Sequence, residues 1–181
     1  MRLGLVRHFR VDQTIDEKLL SPDKFDTTMK GYDTCSVIPN GLEINSSEWD
    51  ICYCSSLPRA ITTAKTIYNK EIIKTNLIVE VPISSFTKRN IKLPLFFWHL
   101  GARIAWYKSH HSQAEDIHAT KKRIEEFYNL ITNSGHENIL IVAHGYFLKV
   151  FYEVMKKKGY HGDVELNIKN GKLYIIENNP Q

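Results

Sequence analysis

Cysteine is scarce in this sequence, which has three cysteines among 181 residues: Cys35, Cys52 and Cys54. A small and odd number of cysteines excludes a fold held together by a disulfide framework. No second pair at metal-ligand spacing accompanies Cys52 and Cys54, so the four ligands of a structural zinc site are also lacking. We expect all three to be free thiols in a protein of a reducing compartment.

Long apolar runs are lacking as well. The most apolar stretch covers residues 93–107 and is interrupted by His99 and Arg103. A membrane-spanning helix needs roughly 20 apolar residues, and the N-terminal residues MRLGLVRHFR contain no apolar core of signal-peptide length. We therefore expect a soluble, cytoplasmic protein with no membrane partner.

Neither sign of charge dominates the chain, since 24 Lys and Arg oppose 20 Asp and Glu for a formal net charge of +4. A dedicated nucleic-acid binder would carry a clustered basic stripe. We therefore expect no nucleic-acid partner, and the mild excess suits an enzyme for a small anionic substrate. Apolar residues make up 43% of the chain, enough to exclude a largely disordered protein, and the length is typical of one domain.

Segments of strand and helix character alternate along the chain. Strands are predicted at residues 2–6, 49–54, 77–81 and 138–143, and helices at 21–32, 58–69, 94–107 and 146–158. A capping-box pattern, Ser112 with Glu115, predicts a further helix from residue 112, and Asn170-Gly171 predicts a hairpin of residues 164–168 and 172–176. The alternation predicts a three-layer α/β/α sandwich with a mostly parallel sheet and room for an antiparallel edge. We expect one domain over residues 1–181, with a small cap or insertion at about 82–116.

Residues able to carry chemistry follow the predicted strands. Arg7 and His8 follow the first strand, Arg59 opens the helix after the second, Glu80 lies at the end of the third, and His144 follows the fourth. The carboxyl ends of parallel strands share one edge of a sheet, where ligands bind. Arginine matches phosphate oxygens, a neutral imidazole can attack phosphorus, and a carboxylic acid can protonate the departing oxygen. This edge therefore predicts a phosphoryl-transfer site that needs no metal or cofactor.

Three short motifs add a resemblance to this interpretation. Residues 5–8 (LVRH), residues 54–60 (CSSLPRA, followed by Thr63-Ala64) and residues 141–145 (IVAHG) occur in this order. They are similar to the RHG, SxLxRAxxTA and VxHG segments of the histidine phosphatase superfamily, which is phosphoglycerate mutase-like in fold. The resemblance covers roughly residues 2–155 and implies a metal-independent phosphatase that hydrolyses phosphomonoesters.

The same resemblance implies a role for each residue of the site. His8 becomes the phosphohistidine, and Arg7, Arg59 and His144 hold the phosphoryl oxygens. His144, protonated, also stabilises charge on the transferring group, and Glu80 is the best match for the acid that protonates the leaving group.

The chain departs from the family pattern at two places. Phe9 stands where the family has glycine, and we expect its ring to add bulk beside the nucleophile and to narrow the substrate pocket. Residues 10–16 (RVDQTID) lack the run that mutase-like members carry after the first motif. Two alternatives stay open: a phosphoglycerate mutase-type phosphotransferase, and a catalytically idle module for binding phospho-ligands, in which Phe9 blocks turnover.

Structural roles account for the other candidate residues. Glu115 is the rival acid, but its place in the capping box accounts for it. Ser55 and Ser56 are expected to cap the helix that follows them. The histidines at 99, 110 and 111 lack a carboxylate at ligand spacing, so no metal site is predicted. The aromatic segment 95–107 is expected to pack as a helix, and an apolar substrate pocket or a dimer interface is left open for it. Neither the substrate nor the oligomeric state follows from these patterns.

Overall fold

The computed structural model describes residues 1–178, and its strands and helices alternate as the sequence predicts. The strands are Arg2–Arg7 (β1), Arg10–Val11 (β2), Val37–Ile38 (β3), Ile51–Ser55 (β4), Ile72–Thr75 (β5), Asn138–Ala143 (β6) and Leu173–Glu177 (β7). The helices are Pro22–Tyr32 (α1), Pro58–Ile67 (α2), Leu95–Tyr107 (α3), Ile117–Thr132 (α4) and Gly145–Lys157 (α5). Short 3-10 turns cover Ser46–Glu48 and Asn76–Ile78. None of the helices in this described part is long and apolar enough to cross a bilayer.

Five strands form the central sheet, in the order β5-β4-β6-β1-β7. The first four are parallel to one another, and β7 closes the edge antiparallel to β1. The strands β2 and β3 pair separately as a small antiparallel ribbon. Helices cover both faces of the sheet, so the predicted α/β sandwich with a mostly parallel sheet and an antiparallel edge is confirmed.

The two faces of the sheet are buried against different helices. Leu3 and Leu5 belong to the larger core cluster, which includes side chains of α4 and α5. Val6, Cys52 and Cys54 point the other way and pack with α2. Because side chains alternate along a strand, both faces of β1 and β4 are apolar, as expected of a parallel sheet covered on both sides. The thiols of Cys52 and Cys54 are free and buried.

A smaller apolar cluster joins α1 to α3. Its centre is formed by Leu20, Phe25 and Trp98, all fully buried. The indole Nε1–H of Trp98 donates to the carbonyl of Leu20 at 2.8 Å, which satisfies the polar atom of a buried aromatic ring. This contact holds α3, which lies within the predicted cap segment, beside α1.

Three predicted elements are wrong in detail. The strand expected at 77–81 lies earlier, at Ile72–Thr75, because Thr75 Oγ1 accepts the N–H of Leu77 and turns the chain into a 3-10 turn. The helix expected from residue 112 begins at Ile117, where the side chain of Asp116 caps it by accepting the N–H of Ala119 at 2.8 Å. The first arm of the predicted hairpin is not a strand, and β7 pairs with β1 instead. The first two differences come from side-chain caps two or three residues away, and only the third comes from a partner strand that is distant in the sequence.

Candidate active site

The parallel register places the ends of β1, β4 and β6 side by side. Arg7 lies opposite Ala143 across the β1–β6 pair. The next residues along these two strands are His8 and His144, and their ring centroids are 5.1 Å apart. Both side chains are buried, with His8 2% exposed and His144 fully covered. The two predicted histidines are therefore neighbours at the carboxyl edge of the sheet, where ligand sites of α/β folds occur.

The imidazole of His8 is held in one tautomer. Its Nδ1 lies 2.6 Å from the carbonyl oxygen of Phe9, which can only accept, so Nδ1 carries the proton. Burial is the main cause that lowers the pKa of His8, with the charges of Arg59 and Arg7 adding to it, and the pKa falls to about 3. At neutral pH the ring is uncharged and Nε2 bears a free lone pair. This is the protonation state that a nucleophilic histidine requires.

Phe9 does not narrow the pocket, which corrects the expectation drawn from its size. Its ring is 1% exposed and packs in the core cluster on the α2 face of the sheet. Its backbone is not in the left-handed region, and its N–H donates to Thr63 Oγ1 at 2.9 Å. The bulk that distinguishes Phe9 from glycine therefore points into the protein, while its carbonyl orients His8. The reason for expecting an idle, blocked module disappears.

His144 is bonded on both ring nitrogens. The Nε–H of Arg59 donates to Nδ1 at 3.2 Å, and Nε2 lies 2.7 Å from Ser55 Oγ. Because an arginine can only donate, Nδ1 accepts and Nε2 carries the proton. Burial and then the charge of Arg59 hold the pKa of His144 well below its usual value. In the free protein His144 is therefore a neutral N–H donor, not the protonated imidazolium that we expected.

The two predicted arginines approach the histidines from different elements. Arg59 lies at the start of α2, is 2% exposed, and its Nη1 donates to Asp33 Oδ1 at 2.7 Å. Arg7 donates from Nη1 to the carbonyl of Ile168 at 2.9 Å, while its buried Nε–H has no partner within residues 1–178. A methyl group on Gly145 would lie 2.9 Å from that Nε, so only glycine lets the guanidinium approach the start of α5 so closely.

A pocket of about 1200 Å³ opens beside these groups. Arg7, Arg59, Glu80 and Glu115 line it, together with residues of α1 and α3. His8 and His144 are covered side chains at its base and contribute no lining surface. Four of the predicted or rival site residues thus face one cavity, and the two histidines lie directly behind it through their contacts with Arg59 and each other.

Glu80 reaches the site from the segment after the 3-10 turn. Its carboxylate accepts the N–H groups of Tyr146 at 3.3 Å, Phe147 at 3.0 Å and Val81 at 2.9 Å. The first two are free N–H groups in the first turn of α5, and an anion is stabilised there by the helix dipole. Glu80 thus caps the same helix that His144 precedes, and its carboxylate lines the pocket together with Arg7 and Arg59.

Glu115, the rival acid, is bound differently from our expectation. It does not take part in a capping box. Its two oxygens accept from Arg123 Nη2 at 2.9 and 3.2 Å, and one also accepts the hydroxyl of Thr120. Both members of this ion pair are largely buried. Arg123 in turn donates to the carbonyls of Leu77 and Val79. Glu115 therefore supports the backbone that leads to Glu80, which is a structural role.

Some residues of the site escaped the sequence analysis. Asp33 supplies the carboxylate beside Arg59, and Asn170 donates from Nδ2 to the carbonyl of His8 at 2.7 Å. Asn170 was interpreted as a turn residue, and Asp33 carries no local signal. Ser55 does not cap α2, which begins after Leu57 without a side-chain cap, and bonds His144 instead. Ser56 bonds Asn76. These partners are distant in sequence, so only the fold pairs them.

The buried histidines predict a pH dependence of stability. His8 and His144 have lowered pKa values in the folded protein and can bind protons near pH 6.5 once unfolded. The unfolded state then binds more protons, so their contribution to stability is present above pH 6.5 and is lost as pH falls toward the folded pKa. Between pH 7 and pH 5 each histidine should lower the free energy of unfolding by about 2 kcal/mol.

Urea unfolding at pH 7 and pH 5 measures this effect. His144→Gln should reduce the loss between the two pH values by about 2 kcal/mol relative to wild type. His118→Gln, at an exposed position, is the matched control and should leave the loss unchanged. An equal loss in wild type and His144→Gln would contradict the assignment of neutral buried histidines.

Comparison with known proteins identifies a family for the fold and the motifs. A model of the histidine phosphatase superfamily (branch 1) matches residues 3–181. No curated protein matches the chain.

Solved structures, among them two named as phosphatases, share the fold at low sequence identity. The alpha-ribazole phosphatase of Shigella flexneri is 20% identical, with a TM-score of 0.57 over 98% of this chain and 90% of that one. A variant of the phosphoserine phosphatase of Entamoeba histolytica, in complex with phosphoserine, is 22% identical, with a TM-score of 0.52 over 86% and 80% of the two chains. The product of the open reading frame Rv3214 of Mycobacterium tuberculosis is 16% identical, with a TM-score of 0.56 over 96% and 89%. At these identities the likeness extends to the fold alone.

Proposed function

The chain belongs to the histidine phosphatase superfamily (branch 1), and from this premise we propose that it hydrolyses phosphomonoesters through a phosphohistidine on His8. The roles are those expected from the sequence. His8 is the nucleophile, Arg7, Arg59 and His144 bind the phosphoryl oxygens, and Glu80 moves the proton of the leaving group. The observation that carries the proposal is the state of His8, whose proton is held on Nδ1 by the carbonyl of Phe9.

In the first step, Nε2 of His8 attacks phosphorus and the bond from phosphorus to the ester oxygen breaks. Arg7 lines the pocket, and with the N–H groups that Arg59 does not use toward Asp33 and His144 it is available to the phosphoryl oxygens. His144 adds the Nε2–H of a neutral ring when that group exchanges its bond to Ser55 Oγ for one to a phosphoryl oxygen, since charge stabilisation needs a hydrogen-bond donor and not a second cation. The leaving oxygen takes a proton from the carboxylic acid of Glu80 and departs as an alcohol.

In the second step, water attacks the phosphohistidine, the P–N bond breaks, and His8 is restored. The carboxylate of Glu80 accepts the proton of the attacking water, while its bonds to the N–H groups of α5 keep it in position. The proton needed for the first step can enter with the substrate. A phosphomonoester has its second pKa at about 6, so its monoanion carries a proton that Glu80 can take up.

Trapping of the intermediate tests the proposal. Protein mixed with a phosphomonoester and quenched in alkali should retain phosphate that is stable to base and labile to acid, and mass spectrometry should locate it on His8. The reaction is run with a chelator, because the proposed chemistry uses no metal ion. Phosphate on another residue, or turnover that the chelator abolishes, would overturn the mechanism.

A further inference from the structure

The helix α3 carries an exposed apolar face that internal packing does not explain. Trp98, Ala102 and Trp106 are buried against the rest of the protein. The opposite side of the helix exposes five large apolar side chains by 46–67%: Phe96, Phe97, Leu100, Ile104 and Tyr107. We call these five residues the α3 stripe. Contiguous exposed apolar side chains mark ligand grooves or interaction surfaces.

The members of the α3 stripe lie on one side of the helix. Phe96, Leu100 and Ile104 are spaced four residues apart, and Phe97 and Tyr107 lie beside them. At 3.6 residues per turn these positions fall within an arc of about 100°. No charged residue lies within the arc, and Arg103 borders it beside Phe96 on the side of the pocket. The stripe is therefore a continuous apolar surface along the length of the helix.

The α3 stripe begins inside the candidate active site. Phe96 and Leu100 line the same pocket as Arg7 and Arg59. Leu166, which is 84% exposed, also lines this pocket. A ligand whose phosphoryl group rests on the two arginines therefore meets apolar side chains as it leaves the phosphate end. The stripe continues the site and is not a separate surface.

Two charged groups that line the pocket near the stripe, Arg103 and Asp26, are already paired within the protein. Arg103 stacks over the ring of Tyr146 at 3.7 Å and donates to the carbonyl of Val81 at 3.2 Å. Asp26 accepts from Ser85 N at 2.6 Å and from Lys88 Nζ at 2.9 Å. These groups do not require a polar substrate to satisfy them. In addition, residues 82–114 contain no Asp or Glu, so the approach along α3 does not repel an anion.

From these observations we infer that the substrate is an amphiphilic phosphomonoester, with its phosphoryl group at Arg7 and Arg59 and an extended apolar leaving group along the α3 stripe. The inference rests on the proposed function for the position of the phosphoryl group. Its experiment is chosen so that it does not depend on turnover.

Binding of n-alkyl phosphonates tests the inference, because their P–C bond is not hydrolysed at this site. Dissociation constants for ethyl, butyl and octyl phosphonate are measured by calorimetry below the micellar concentration. Contact along one side of the alkyl chain should contribute about half the free energy of full burial for each methylene. This corresponds to binding that is about twofold tighter for each methylene. Octyl phosphonate is therefore expected to bind more than about tenfold more tightly than butyl phosphonate.

Surface variants identify the binding wall. The double variant Phe96→Ser with Leu100→Ser should bring the ratio of octyl to butyl affinity close to one. Leu130→Ser is the matched control, because Leu130 is an exposed leucine, 41% accessible, on α4 outside the pocket. It should preserve the ratio of wild type. Exposed positions tolerate such changes with little effect on folding.

Three results would overturn the inference. The first is equal affinity of wild type for butyl and octyl phosphonate. The second is a chain-length dependence that survives in the double variant. The third is that wild type self-associates, that the double variant does not, and that alkyl chain length has no effect on binding. The α3 stripe would then bind a second copy of the protein. Failure of the proposed function appears separately, as chain-length-dependent binding without hydrolysis of any alkyl phosphate.

Discussion

His8→Ala should lower kcat/KM for phosphomonoesters by more than about 10³-fold, because the variant has no atom on which the phosphoryl intermediate can form. Water held by the arginines would be the remaining nucleophile, and charge stabilisation alone supplies the residual rate. The measurement is steady-state hydrolysis of p-nitrophenyl phosphate, with far-UV circular dichroism to show that the variant folds.

The matched control for this change is His99→Ala. His99 lines the pocket, and burial is the main cause that lowers its pKa. It has no part in the proposed mechanism. We expect its activity to stay within about tenfold of wild type. If His8→Ala and His99→Ala lose activity equally, or if His8→Ala keeps most of its activity, the phosphohistidine mechanism is wrong.

Glu80→Gln should lower kcat/KM for an alkyl phosphate by about 10²- to 10⁴-fold, the usual contribution of a general acid. An alkoxide is a poor leaving group and needs the proton that Glu80 supplies. A p-nitrophenolate leaves without protonation, so the loss with p-nitrophenyl phosphate should be at least about tenfold smaller in the first step. The single oxygen of the glutamine can still accept the N–H groups of Phe147 and Val81, and only the longer bond from Tyr146 is lost, so the cap of α5 is partly retained.

Glu115→Gln distinguishes the two carboxyl groups. Removing the charge of Glu115 weakens its ion pair with Arg123, which is 14% exposed, and should lower the stability of the protein. Any loss of kcat/KM should be equal for the alkyl phosphate and for p-nitrophenyl phosphate. A dependence on the leaving group that appears in Glu115→Gln and not in Glu80→Gln would transfer the role of the acid to Glu115.

The elements that were predicted correctly are those whose signal is local. The strand Asn138–Ala143 is a continuous apolar run that is buried on both faces, and it was located to the residue. The helix at Pro58 was predicted from its initial proline and apolar spacing. The elements that were misplaced depended on competition between partners. Ser112 and Glu115 satisfy a capping pattern, yet Asp116 caps the helix because Glu115 is drawn to Arg123.

The sequence by itself determined which residue types follow the strands, and these arginines, histidines and a carboxylate led to the proposed phosphoryl-transfer site. It also determined the fold class, because apolar periodicity and strand–helix alternation are properties of neighbouring residues. Only the tertiary structure decided the state of those groups. The tautomer of His8, the neutrality of His144 and the inward position of the Phe9 ring depend on burial and on partners that are far away in the chain. Desolvation and directional hydrogen bonds act through space, so no pattern along the sequence could reveal them.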